Sequence, residues 1–275
     1  MKIESHVQIE DEGAEIVGLL AAESGMSRRR IKDAMQKGAV WHTGAKGTRR
    51  VRRQKQLSAG DQVHLYYDED VLGEEPTPPE LVSDEGAYSV WNKPYGMRSQ
   101  GSKWGDHCTI TRWAEGNLKP SRPAFIVHRL DRAASGLILV AHEKKIATRL
   151  SKLFETRSIE KRYRVLVHGK IEETDTPILI DQPIDGREAR SRYQTLGYDE
   201  AAERSEVEIK IETGRKHQIR IHMASLGFPV VGDRLYGRLD DSEDLQLKAV
   251  SLSFVCPVEN RRKVFEIDRG WSVRR

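Results

Sequence analysis

The sequence predicts an α+β fold: a large mixed, mostly antiparallel sheet with flanking helices, preceded by a small N-terminal α/β module. Three observations predict it. The chain beyond residue 87 holds many short runs rich in β-branched and aromatic residues, with only two stretches of helical spacing among them. Residues 71–87, VLGEEPTPPELVSDEGA, carry three prolines and five acids, the composition of a linker. Residues 24–56 carry eleven Lys and Arg against one Asp, a local balance of +10 in a chain whose net charge is only +4. The predicted organisation is therefore a module over residues 1–70, a linker over 71–86 and a larger domain over 87–275.

The elements follow in order. IVGLLAAES has apolar residues close to helical spacing, and Ser24-Gly25 stops it. Ser27 caps a second helix in SRRRIKDAMQKG, with Ile31, Ala34 and Met35 facing inward and Gly38 ending it. AVWHT and VHLYY read as strands, with a turn at Ala59-Gly60-Asp61 before the second. Arg28, Arg29, Arg30, Lys32 and Lys37 crowd the second helix, and Arg49 and Arg50 lie on a following hairpin. A solvated face normally mixes signs. This one does not, and a run of cations that meets several phosphates at once gives nucleic-acid affinity without sequence readout. In the larger domain YSVWNKP, FIVHRL, GLILVAH, YRVLVHG, SRYQTLGY, SEVEIKI and SLSFVC read as strands. KKIATRLSKLFETR is an amphipathic helix with Ile146, Leu150, Leu153 and Phe154 inward, and KHQIRIHMASLG is another, ended by Gly227.

Composition excludes several classes. Of 275 residues 37% are hydrophobic and 32% charged, and no stretch approaches the ~18 consecutive apolar residues of a membrane span. The N-terminus, MKIESHVQIEDEGAEI, is acidic and lacks an apolar signal core, so a soluble cytoplasmic protein, monomeric by default, is expected. Cys108 and Cys256 lie far apart and form no CxxC pair, which points to two reduced thiols. His128, His217 and His222 lack metal-ligand spacing and are expected to be hydrogen-bonded structural histidines. GAKGTRR lacks the ending of a phosphate-binding loop. Neither metal nor cofactor is expected.

The chemistry concentrates in HRLDRAASGLILVAHEKK, where Asp131 stands between Arg129 and Arg132 at the mouth of an apolar run. Taken alone, such neighbours are a surface ion pair worth about 0–1 kcal/mol. Three more stretches join polar chemistry to a glycine turn or an apolar run: NKPYGM, EKRYRVLVHG and TGRKHQIRIH. In order and spacing these four, with GDRLYG and LQLKAVSLSFVCP, resemble the RluA-type pseudouridine synthases over most of residues 85–268. Residues 13–68, through SGMSRRRIKDAMQKGAVWHTG and LSAGDQVHLY, resemble the alpha-L RNA-binding module. The chain departs from the synthase pattern at Ala134, Met97 and Lys248, where Thr, Leu and His are usual.

The resemblance implies an isomerase that breaks the N-glycosidic bond of a uridine within RNA and rejoins the uracil through C5. Asp131 is then the essential carboxylate, Tyr163 an active-site ring beside the uracil, and Arg215 the basic partner that favours the anion in an apolar pocket. Arg129 enters the RNA stack where the base is flipped out, and Ile219 supplies an apolar wall. RNA is the expected partner, ribosomal RNA in preference to transfer RNA. A ribosome-assembly protein on the same fold is the alternative. A hydrolase fits less well, because glycoside hydrolysis uses a second carboxylate that these motifs lack.

Overall fold

The computed structural model describes residues 1–268. These fall into two compact units, one of residues 1–76 with 100–116, the other of residues 77–99 with the chain from 117 onward.

In the first unit the chain order is β1 (Lys2–Gln8), α1 (Ile16–Ser24), α2 (Arg28–Gln36), β2 (Val40–Gly44), β3 (Gly47–Arg50), β4 (Gln62–Asp68) and α3 (Glu69–Leu72). The strands form an antiparallel sheet in the order β1-β4-β2-β3. Strict alternation sets its faces: Val63, Leu65 and Tyr67 of β4 are buried in one cluster with Ile16 and Leu20 of α1 and Ile31 of α2. Both predicted helix boundaries hold. Gly25, at φ +69°, caps α1 in the left-handed region, and the Ser27 hydroxyl accepts from the Arg30 N–H, 3.4 Å away, at the start of α2.

Residues 100–116 belong to this unit. A tight turn, closed by a bridge between Ser102 and Gly105, presents the Lys103 carbonyl to the Trp41 indole N–H at 3.0 Å. Asp106, almost wholly buried, pairs with Arg50 at 3.1 Å and with Arg52. Helix α4 (Ile110–Asn117) follows.

In the second unit come β5 (Glu80–Asp84), β6 (Tyr88–Lys93), β7 (Phe125–Ile126), β8 (Ser135–Ala141), α5 (Lys144–Glu155), β9 (Ile159–His168), β10 (Ile178–Asp181), β11 (Arg190–Asp199), β12 (Arg204–Ile211), α6 (Gln218–Ser225), β13 (Leu247–Val255) and β14 (Arg262–Glu266). The sheet runs β10-β11-β12-β9-β13-β8-β6-β5, with β14 beside β13 and β7 beside β8. Its pairings are antiparallel except for β8 with β13. Leu137 to Ala141 of β8 are fully buried, which is why this strand reads as an unbroken apolar run rather than an alternating one. Each run predicted as a strand lies in one, but FIVHRL contributes only Phe125 and Ile126 before the chain leaves the sheet to carry Asp131. Strands β1, β5, β10 and β14 and helices α3 and α4 had no counterpart in the prediction. Residues 80–84, inside the stretch of linker composition, are β5.

Candidate active site

The site lies within the second unit, where the chain between β7 and β8 meets the chain after β6, strand β9, and α6 with the loop that follows it. Two devices hold the Asp131 segment. The Ser99 hydroxyl donates to the Leu130 carbonyl at 2.7 Å and accepts from the Leu130 N–H at 3.0 Å. Gly96 N–H donates to the Arg132 carbonyl at 2.9 Å, and Arg132 Nε donates to the Gly96 carbonyl at 3.1 Å. So NKPYGMRS and HRLDR, 35 residues apart in sequence counted from Gly96 to Asp131, are bonded backbone to backbone. His128 fixes the other side. It accepts from the Leu139 N–H at 3.1 Å and stacks on Phe154 at 4.2 Å, and burial pushes its pKa down to about 3, so it stays a neutral acceptor.

The Asp131 carboxylate is partly exposed and faces two basic groups. His217 Nε2 lies 3.8 Å from Oδ1 and Arg220 Nη1 lies 3.9 Å from Oδ2. Arg220 is itself held by Asp233 through two parallel bonds, Nε to Oδ2 at 2.7 Å and Nη2 to Oδ1 at 2.6 Å. This fork geometry fixes the guanidinium and turns its remaining nitrogen toward Asp131. Burial opposes the Arg220 charge, but Asp233 and then Asp131 outweigh it, leaving its pKa above the ordinary value. Asp233 also accepts the backbone N–H groups of Leu235 at 3.0 Å and Tyr236 at 3.1 Å; with Arg220 these overcome its burial and lower its pKa.

Tyr163, on β9, is buried, and desolvation followed by the charge of Asp131 raises its pKa well above the usual phenol range. It is a neutral ring beside the carboxylate at any ordinary pH. Lys93 closes the NKPYGM turn from within. Its side chain is completely buried, and Nζ donates to the carbonyls of Pro94 at 3.0 Å and Met97 at 2.9 Å. Desolvation lowers its pKa from 10.5 to about 7, against the opposing pull of Asp131.

The predicted residues are distributed as follows. Asp131 and Tyr163 come together; Ile219 is buried on α6; Arg129 is exposed. Arg215 is a correction. Its Nε donates to the Glu188 carbonyl at 2.8 Å, and the guanidinium within 4 Å of Asp131 is that of Arg220. The reason is helical phase: α6 starts at Gln218, so Arg215 lies in the turn before it and Arg220 within it. His217 is hydrogen-bonded, as expected, with Nδ1 2.9 Å from the Tyr236 hydroxyl, and it also faces the carboxylate; His222 is held between the Ser191 hydroxyl and the Gln182 carbonyl, both at 3.0 Å. Lys93, Arg220, Asp233 and Tyr236 were not singled out beforehand, although all lie in the quoted motifs.

In the first unit Arg29, Lys32 and Arg49 are exposed with no ion-pair partner among the described residues. Arg28 pairs with Glu15, Arg30 with Glu69 at 3.0 Å, and Lys37 with Asp33 at 3.1 Å. Arg50 is not part of an open cationic face. It is half-buried, donating to Gly38 and Ser102 carbonyls and to Asp106, because its register opposite Trp41 turns it toward the face where residues 102–106 dock.

Residues 87–225 match the family model described as RNA pseudouridylate synthase. The chain belongs to the RNA pseudouridylate synthase family. An uncharacterised RNA pseudouridine synthase of Aquifex aeolicus is 32% identical, covering 98% of this chain and 95% of that protein. The dual-specificity RNA pseudouridine synthase RluA of Vibrio parahaemolyticus is 32% identical over 66% of this chain and 80% of its own, and tRNA pseudouridine synthase C of the same organism 30% identical over 71% and 93%. The human RNA pseudouridylate synthase domain containing 1 shares the fold, with a TM-score of 0.59 and 23% identity over 71% of this chain and 86% of that one. The chain is thus an isomerase that converts uridine in RNA to pseudouridine. Among the described residues no helix is long and apolar enough to cross a membrane.

Proposed function

We propose that this synthase acts on uridine in structured ribosomal RNA in the cytoplasm, as a monomer, with Asp131 as its catalytic carboxylate. One observation carries the catalytic assignment: Asp131 is the carboxylate that meets two fixed basic groups and a buried tyrosine at once. Arg220, locked by Asp233, takes the role of basic partner first expected of Arg215. A guanidinium with no freedom to swing presents a fixed positive charge to the carboxylate as uracil displaces water from it. Tyr163 forms one wall of the base pocket and Ile219 another. Arg129, exposed beside the carboxylate, fills the place of the flipped base; flipping costs a few kcal/mol, which such a filler offsets.

The ribosomal preference rests on residues 1–70, whose exposed Arg29, Lys32 and Arg49 suit phosphate contacts on a folded RNA. A transfer RNA substrate is the second reading, favoured by the 30% identity to tRNA pseudouridine synthase C. The deciding experiment is tritium release from C5-labelled uridine, since the C5 hydrogen leaves when the new bond forms there. Unmodified ribosomal and transfer RNA are compared with wild type and Asp131→Asn. Release from ribosomal RNA by wild type alone is expected, with RNA affinity retained in the variant. Turnover by Asp131→Asn overturns the carboxylate assignment, and release from transfer RNA alone overturns the target.

A further inference from the structure

His217 sits where a helix begins, with φ +56°, a left-handed backbone that a side chain with a Cβ adopts only under constraint. What that conformation achieves is visible at both ring nitrogens. Nε2 points at Asp131 Oδ1, 3.8 Å away, and Nδ1 is 2.9 Å from the Tyr236 hydroxyl. The two rings meet edge to face at 5.5 Å, and the Arg220 guanidinium lies 5.1 Å over the other aromatic partner, Tyr236. Tyr236 in turn donates its backbone N–H to Asp233, the residue that grips Arg220. The contacts close a ring: Asp131, Arg220, Asp233, Tyr236, His217 and back to Asp131.

We propose that His217 and Tyr236 are a positioning pair for Asp131, in which the Tyr236 hydroxyl donates to Nδ1 and thereby fixes the imidazole as the Nε2–H tautomer facing the carboxylate. The inference rests on the reading of Asp131 as the catalytic group. Its logic is one of proton counting. A neutral imidazole carries one N–H. Were it on Nδ1, donating to Tyr236, the Nε2 lone pair would face the Asp131 anion. With the phenol as donor, both hydrogen atoms point at acceptors and Asp131 receives a dipole on Oδ1 to match the guanidinium on Oδ2. The surroundings keep the ring neutral: burial, with Arg220 and Lys216 nearby, lowers the His217 pKa against the pull of Asp131 and Asp233. A separation of 3.8 Å leaves room for one bridging water, or for a small turn of the carboxylate toward Nε2. The role is thus orientation, not proton transfer.

The test is ring-nitrogen NMR of histidine-labelled full-length protein, with His217 assigned by its loss in His217→Gln, together with single-turnover isomerisation. The expected result is the Nε2–H tautomer in wild type. Tyr236→Phe should release it to a mixture, raise the His217 pKa because the neutral ring loses its donor, and slow the chemical step roughly ten- to a hundredfold with RNA affinity unchanged. His217→Gln, whose amide can still donate, should retain more activity than His217→Leu. An Nδ1–H tautomer in wild type, or a wild-type rate in Tyr236→Phe, overturns the proposal. The tautomer is read without turnover, so failure of the Asp131 assignment, seen as activity in Asp131→Asn, registers separately.

Discussion

At the scale of single residues, Asp131 stood out in the sequence and the groups that approach and hold it did not. Taken alone, Asp131 reads as half of a surface ion pair and Tyr163 as a strand residue of the core; only the order and spacing of four motifs together set them apart. Lys93 reads in sequence as one more surface cation, and nothing local shows that its ammonium is walled in by the carbonyls of its own turn. Its burial has a thermodynamic consequence whose sign is fixed. The folded pKa, about 7, lies below the ordinary 10.5, so between those values the unfolded chain binds more protons than the folded one. Stability therefore rises with pH across that window and the penalty is complete below it, with a slope of at most about 1.4 kcal/mol per pH unit for one proton. Lys93→Met removes this proton while leaving Lys161, whose pKa burial lowers to about 8, in both proteins. Denaturant midpoints at pH 7 and pH 10 should show wild type gaining on the variant as pH rises. Parallel curves would show that the ammonium is not buried in solution.

At the scale of elements, the unpredicted strands share a cause. β1, β5 and β10 end their sheets and β14 pairs only with β13, so each needs little apolar surface and its sequence alternates weakly. Central strands are coded by burial; edge strands are coded by their neighbours. The pairing of β8 with β13 is the converse case, where one residue decides. Gly136 has φ +105°, and a Cβ there would run into the backbone of Ala249 on the parallel neighbour. Gly136→Ala should lose on the order of 3 kcal/mol through backbone strain and overpacking together, seen as a drop in melting temperature, and turnover should fall with it because β8 begins four residues after Asp131. The cations of α2 divide in the same way, by context rather than type. Arg29 and Lys32 face solvent, whereas Arg28 and Arg30 already have carboxylates. Neutralising Arg29 and Lys32 should each flatten the salt dependence of RNA binding by about one unit of slope, and neutralising Arg28 by less, because a guanidinium already paired with Glu15 contributes less of a phosphate contact to lose. Equal slopes for all three would refute an assignment based on pairing.

At the scale of the whole molecule, the composition of residues 71–86 predicts a single tether, and the fold is built otherwise. The chain passes from the first unit to the second after Pro76, returns after Ser99 and leaves again after Gly116. No local pattern encodes that return: QGSKWGDHCTI carries turn residues but no signal of what the turn packs against. Its attachment depends on long-range pairs, chiefly Asp106 with Arg50 and Arg52 and the Lys103 carbonyl with the Trp41 indole. Removing Asp106 leaves two half-buried guanidinium groups without their shared carboxylate, a loss on the order of 3 kcal/mol for a pair of this burial. A physical consequence follows for a chain cut at an engineered protease site in the exposed Thr77-Pro78. Residues 100–116 then stay covalently joined to the larger fragment while remaining packed in the smaller one. The two fragments should co-elute in native size-exclusion chromatography after cleavage, separate in denaturant, and separate natively when Asp106→Ala is introduced. Separation of the cleaved wild-type protein under native conditions would mean that residues 100–116 do not hold the first unit, and that the single tether read from composition is the real connection.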